Sequence, residues 1–114
     1  MSVVIYHNPR CSKSRQTLAL LEERDIQPEI IKYLDTPPSI EELKQLMSQL
    51  ELTDVRAMMR TKEDIYKELD LKSADDETLF KAMAENPKLI ERPIVVANGK
   101  AKHGRPPEQV LEIL

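Results

Sequence analysis

Two short runs constrain this chain most: Val3-Val4-Ile5-Tyr6, stopped by Asn8-Pro9, and Ile94-Val95-Val96-Ala97, stopped by Asn98-Gly99. Each is short, β-branched and closed by breakers, which reads as a buried strand. The two runs lead into different elements. After the first, a helical pattern from about Ser12 to Arg24, with Leu18, Ala19 and Leu21 on its inner face, leads to a strand candidate, Glu29-Ile30-Ile31-Lys32-Tyr33. Strand, helix, strand with a helical crossover favours parallel pairing by the right-handed rule. After the second, Asn98-Gly99 suits a type I′ turn, and Lys100 to His103 returns as the other half of a hairpin.

The stretch between these ends is helical. Ser39-Ile40-Glu41-Glu42 is a capping box, followed by Leu43, Leu46, Met47 and Leu50 at helical spacing. A further helix is expected near Asp54, carrying Val55, Met58 and Met59, and another after Thr61 through Ile65 and Leu69. Asp75 or Asp76 caps a helix with Leu79, Ala82 and Met83, ended by Asn86-Pro87. Gly104-Arg105-Pro106-Pro107 opens a last helix with Val110, Leu111 and Leu114 inward. The order is β-α-β, a helical insertion over about 39–86, then β-β-α. That is the order of the thioredoxin fold, an α/β fold with a glutaredoxin-type core. At 114 residues one domain is expected, large enough to bury a core without disulfides or a structural metal.

Composition excludes some functions. A net charge of −3 argues against a general nucleic-acid binder. A lone cysteine forms no internal disulfide, and the start of the chain lacks a basic segment and a long apolar run, so a cytoplasmic location is expected. No segment reaches the ~20 apolar residues of a membrane span. One cysteine and two scattered histidines give no zinc-ligand pattern.

The cysteine itself is the main chemical signal. Cys11 stands where the first strand gives way to a helix, within His7-Asn8-Pro9-Arg10-Cys11-Ser12-Lys13-Ser14-Arg15. Unpaired N–H groups and the positive end of the helix dipole favour a thiolate there. An ordinary thiol of pKa ~8.5 is only about 3% ionised at pH 7, and a lowering of about two units makes it roughly three-quarters ionised. Ser14 occupies the second position of the Cys-x-x-Cys pattern, so an oxidised Cys11 must be resolved by an external thiol. His7, at the strand end, favours the thiolate if protonated and accepts a proton if neutral. Arg92 and Arg105 each precede a proline, which restricts them to extended geometry, and Arg60 follows two methionines. Three arginines near one thiolate would suit a tetrahedral oxyanion, because planar guanidinium forks pair bidentately with oxygens.

Taken in order, the segment Tyr6 to Arg15, Val55-Arg56-Ala57-Met58-Met59-Arg60, Ile90-Glu91-Arg92-Pro93-Ile94-Val95-Val96 and Gly104-Arg105-Pro106-Pro107 make the chain resemble a known family over essentially its whole length. That family is the glutaredoxin-linked arsenate reductases (ArsC), in their short YfgD-like branch. The resemblance implies a thioredoxin-like fold with a helical insertion and a cis peptide before Pro93. It implies that Cys11 attacks arsenate, that His7 and Ser14 support its thiolate, and that Arg60, Arg92 and Arg105 hold the oxyanion. It also implies reduction of arsenate to arsenite with glutathione as co-substrate and glutaredoxin as partner, and no tightly bound cofactor. Arg10 departs from the family pattern, standing where a small residue is expected.

Two other readings compete. One is a glutathione-linked thiol-transfer protein with little arsenate activity, suggested by Cys-x-x-Ser. The other is a regulator of the Spx branch that binds RNA polymerase, although Spx proteins usually carry Cys-x-x-Cys and lack this histidine and arginine set.

Overall fold

The computed structural model describes residues 3–114. Four strands form one sheet in the order β2-β1-β3-β4: β1 (Val3–Tyr6), β2 (Glu29–Ile31), β3 (Ile94–Ala97) and β4 (Lys100–His103). β1 runs parallel to β2 and antiparallel to β3, and β3 pairs antiparallel with β4. The α/β fold is thus thioredoxin-like, with α1 (Ser12–Glu23) as the parallel crossover. Asn98 and Gly99 have φ of 55° and 76°, the paired positive values that a type I′ turn requires.

The chain divides into two compact units, Met1–Thr36 with Arg92–Leu114, and Pro37–Glu91. In the first unit, Val3 sits opposite Ala97 and Ile5 opposite Val95, so all four share one sheet face by strand alternation. They form a core with Leu21 of α1 and with Val110 and Ile113 near the C-terminus. Each large apolar side chain fully buried here contributes about 1.5–3 kcal/mol.

Several expectations change within this unit. β2 stops at Ile31, and Tyr33 instead lies buried in the turn beyond it. Ala19 of α1 is exposed; the buried residues of that helix are Ser14, Thr17 and Leu21. Leu21 is in the core and Leu18 packs against it as expected, but the rest of the inner face is the polar pair Ser14 and Thr17 in place of Ala19. The last helix is a 3-10 helix, Pro107–Ile113, with Pro107, Val110 and Ile113 buried and Leu111 only partly so. A three-residue turn repeats its buried position every third residue, which replaces Leu111 with Ile113.

The second unit is helical: α2 (Ile40–Gln49), α3 (Asp64–Glu68) and α4 (Asp76–Glu85), with 3-10 turns at Val55–Met58, Leu71–Ser73 and Pro87–Leu89. The stretch near Asp54 is thus a 3-10 turn. The capping box at Ser39 and Glu42 is formed in both directions, and Asp75 caps α4 by accepting from the Thr78 N–H. Leu43 and Leu46 of α2 and Leu79, Phe80 and Met83 of α4 are buried. In α3 the buried residue is Tyr66, whereas Leu69, just past that helix, is 48% exposed. No helix among the described residues is long and apolar enough to cross a membrane.

Candidate active site

The turn that presents Cys11 is built by Asn8 and Pro9. The His7 N–H extends the β1–β2 ladder by donating to the Ile31 carbonyl at 2.8 Å. The Asn8 carbonyl then accepts from the Cys11 N–H at 3.0 Å, closing a four-residue turn. The Asn8 side-chain oxygen accepts from the Arg10 N–H at 3.0 Å. Such an Asx bond makes an Asn-Pro pair a stable entry to a helix. Cys11 is the N-cap of α1, with extended backbone angles of −91° and 124°, and its carbonyl accepts from the Arg15 N–H.

Cys11 is 9% exposed. Burial, the largest single influence, pushes its thiol up. It is outweighed by the N–H groups of Ser14 and Lys13 and by the Arg92 guanidinium, and the net result lies below the ordinary cysteine value. The thiol itself makes no capping hydrogen bond; the N–H groups act by favouring its charged form. Arg105 Nη2 stands 3.7 Å from Cys11 Sγ. Sulfur is a large, weak acceptor, so at this distance Arg105 donates a weak N–H···S hydrogen bond that fixes its guanidinium beside the thiol.

Two arginines are therefore placed around the sulfur by one local device. Arg105 Nε donates to the Arg92 carbonyl at 2.7 Å, and the Gly104 N–H donates to the Pro93 carbonyl at 3.0 Å. Both Arg92–Pro93 and Arg105–Pro106 are cis. Gly104 also lies against α1: an added Cβ would press on the Thr17 hydroxyl and come within 2.8 Å of Pro93 Cγ.

His7 and Ser14 form the second group. His7 Nδ1 lies 2.6 Å from Ser14 Oγ, and the Asn8 N–H donates to the same hydroxyl at 3.0 Å. Burial first, then the positive charges of Lys32 and Arg15, hold the imidazole pKa below 6.5, so the ring is neutral at pH 7. A neutral ring with its proton on Nε2 accepts the Ser14 hydroxyl proton at Nδ1. Here His7 bonds to Ser14, and the groups that lower the Cys11 pKa are the backbone N–H groups and Arg92.

Arg60 belongs to the helical unit. Its N–H donates to the Leu89 carbonyl at 2.7 Å, and its Nε pairs with Glu63 Oε1 at 3.0 Å. From sequence Asn8 is expected only to stop a strand and Gly104 only to open the last helix, and no role is expected for Glu63. Nor does the sequence point to Arg56, whose guanidinium donates to Tyr66 Oη and to the carbonyls of Leu71, Lys72 and Ala74. Only Asn8 had a local signal, its place before Pro9.

A thioredoxin-like sheet, a cysteine capping the crossover helix and arginines on the facing loops define a single-thiol member of that fold. The chain belongs to the ArsC family, whose model matches residues 6–113. It is 59% identical over 114 residues to the protein YfgD of Escherichia coli (strain K12), covering 98% of this chain and 96% of that one. It is 58% identical over 116 residues to an arsenate reductase of Haemophilus influenzae, covering 100% of both. Among solved structures, the arsenate reductase from Vibrio cholerae matches with a TM-score of 0.98 at 71% identity, covering 100% of this chain and 98% of that one.

Proposed function

We propose that this protein reduces arsenate to arsenite, with Cys11 as nucleophile and glutathione and glutaredoxin as the external reductants. The observation that carries the reading is the pairing of a lowered Cys11 pKa with Arg92 and Arg105 beside the sulfur. A thiolate and an oxyanion repel each other. At 4 Å that repulsion is about 4 kcal/mol at an effective dielectric constant of ~20, so cations are needed to bring them together. Names of relatives such as the Haemophilus influenzae arsenate reductase support the same substrate.

The chemistry proceeds in three steps. The Cys11 thiolate attacks arsenic(V) and an oxygen leaves as hydroxide or water, giving a Cys11–S–As(V) adduct. Glutathione thiolate then forms an S–S bond to Cys11, the S–As electron pair passes to arsenic, and arsenite departs as As(III). Glutaredoxin thiolate last attacks the mixed disulfide on its glutathione sulfur, which returns Cys11 as thiolate. Two thiols are oxidised for each arsenic reduced. In this scheme Arg92 and Arg105 hold the oxyanion and stabilise its charge, Ser14 and His7 position the cysteine loop, and Arg60 supplies a third guanidinium, a role that rests on the family resemblance. A reaction that draws on glutathione and glutaredoxin fits a cytoplasmic protein.

The test couples arsenate, glutathione and glutaredoxin to NADPH oxidation through glutathione reductase. Wild type turns over in proportion to arsenate, and a folded Cys11→Ser protein does not. A second reading, glutathione-linked thiol transfer, draws on Ser14 filling the second-cysteine position. It would be favoured if oxidised glutathione modified Cys11 and glutaredoxin removed the adduct rapidly while arsenate drove no turnover.

A further inference from the structure

Beside the cysteine turn lies an open cavity of about 380 Å³ that Cys11 does not line. One wall is the turn Asn8-Pro9-Arg10; the other is formed by Lys32, Leu34 and Asp35 after β2. Both walls are held by backbone bonds. The Lys32 carbonyl accepts from the N–H groups of Asp35 and Thr36 at 2.9 Å, and the His7 to Ile31 bond ties the two segments together. The cavity is thus largely preformed, and its volume falls in the ~300–1,000 Å³ range of small-ligand sites.

Its chemistry is mixed. Although the chain carries a net charge of −3, the cavity wall offers two cations, Arg10 and Lys32, and one carboxylate, Asp35. The positive field is felt inside, since Lys32 helps keep His7 uncharged. Leu34 is 41% exposed and gives the wall an apolar face. A compact inorganic oxyanion would use the cations but gain nothing from Leu34 and be repelled by Asp35.

We infer that this cavity binds the peptide thiol that resolves Cys11, glutathione itself. The inference rests on the reading that an external thiol completes the reaction. Glutathione carries two carboxylates, one α-ammonium and a short methylene chain. Arg10 and Lys32 take the carboxylates, Asp35 takes the ammonium, and the methylenes lie on Leu34. Arg10 precedes Cys11 in the turn that forms this wall, so a ligand held there lies on the turn that presents the nucleophile. This gives a role to the arginine that departs from the family pattern.

The experiment uses S-methylglutathione, which cannot react with Cys11, titrated into the full chain labelled with ¹⁵N. Saturable shifts are expected at the amides of His7, Asn8, Arg10 and Lys32 to Asp35. Affinity falls about tenfold or more in Lys32→Glu, the size of one charge-assisted contact. It also falls in Asp35→Lys, although that change adds positive charge. Unchanged amide positions elsewhere confirm that both variants are folded. The inference is overturned if no saturation occurs, if the shifts centre on Lys13, Gln16 and Glu108 at another cavity, or if Asp35→Lys tightens binding. Shifts at these amides with reduced glutaredoxin but not with S-methylglutathione would overturn it too, marking a protein-docking face. No arsenic is present, so a failure of arsenate turnover would count against the proposed reaction and leave this measurement intact.

Discussion

One guanidinium links the two loops around the nucleophile: Arg105 Nη2 stands 3.7 Å from Cys11 Sγ while its Nε donates to the Arg92 carbonyl at 2.7 Å. The residue whose side chain lowers the Cys11 pKa thus also anchors the second arginine through its backbone. A lysine at 105 keeps the charge but has no planar fork to serve both directions. Arg105→Lys should raise KM for arsenate about tenfold or more, as expected for one lost charge-assisted contact. Steady-state kinetics at saturating glutathione would show this; an unaltered KM would remove Arg105 from the oxyanion site.

Arg92 should be visible in the thiol alone. Its charge favours thiolate, so Arg92→Ala moves the Cys11 pKa upward. Alkylation by iodoacetamide, followed as rate against pH, should show the inflection displaced to higher pH and slower reaction at pH 7. Coincident profiles would contradict the assignment.

His7 predicts a pH dependence of stability. Its folded pKa lies below 6.5, so the unfolded state binds the proton more readily. Stability contributed by the neutral ring is complete above 6.5 and is lost as pH falls from there through the depressed value. Thermal unfolding from about pH 7.5 to about pH 5 should show a falling Tm in wild type and a flatter curve in His7→Asn, where the side chain does not titrate. Parallel curves would falsify this account.

Gly104 is required by space. Its N–H bonds to Pro93 and an added Cβ would press on Thr17 and Pro93, all within the well-packed first unit. Gly104→Ala should cost about 1–3 kcal/mol in urea unfolding, the usual range for overpacking. Combining it with Thr17→Ala should cost less than the two single changes together, because the double variant relieves the clash.

Arg56 should matter for stability without touching sulfur chemistry. It donates to three carbonyls and a phenol in the helical unit. Arg56→Ala leaves partly buried acceptors unsatisfied and should cost about 2 kcal/mol. Denaturant titration tests the loss, and iodoacetamide reactivity of Cys11 should be unchanged in the folded variant.

The elements that sequence predicted well are those with local causes. Asn98-Gly99 demands positive φ, Ser39 and Glu42 cap each other, and Asn8-Pro9 ends a strand. The inner face of α1 was harder, because Ser14 and Thr17 are buried for hydrogen bonds and close approach rather than hydrophobicity. The final helix was misread in period, since nothing in Val110-Leu111-Glu112-Ile113 distinguishes a three-residue from a 3.6-residue turn. The Arg56 clamp spans up to 18 residues and has no local signature. At the site, Cys11 and its helix N-terminus were readable from neighbours in sequence. The meeting of Arg105 with Cys11 depends on β3 lying beside β1.

That last dependence has a consequence for the life of the chain. Strand β1 and Cys11 are made first, whereas its antiparallel neighbour and both nearby arginines lie after Glu91, 94 residues separating Cys11 from Arg105. A growing polypeptide that has reached only Glu91 holds the thiol without Arg92, Arg105 or β3. Its sulfur has the N–H groups of Lys13 and Ser14 within the chain already made, but it gains the guanidinium groups that help hold its charge only when the final fifth of the protein has been added.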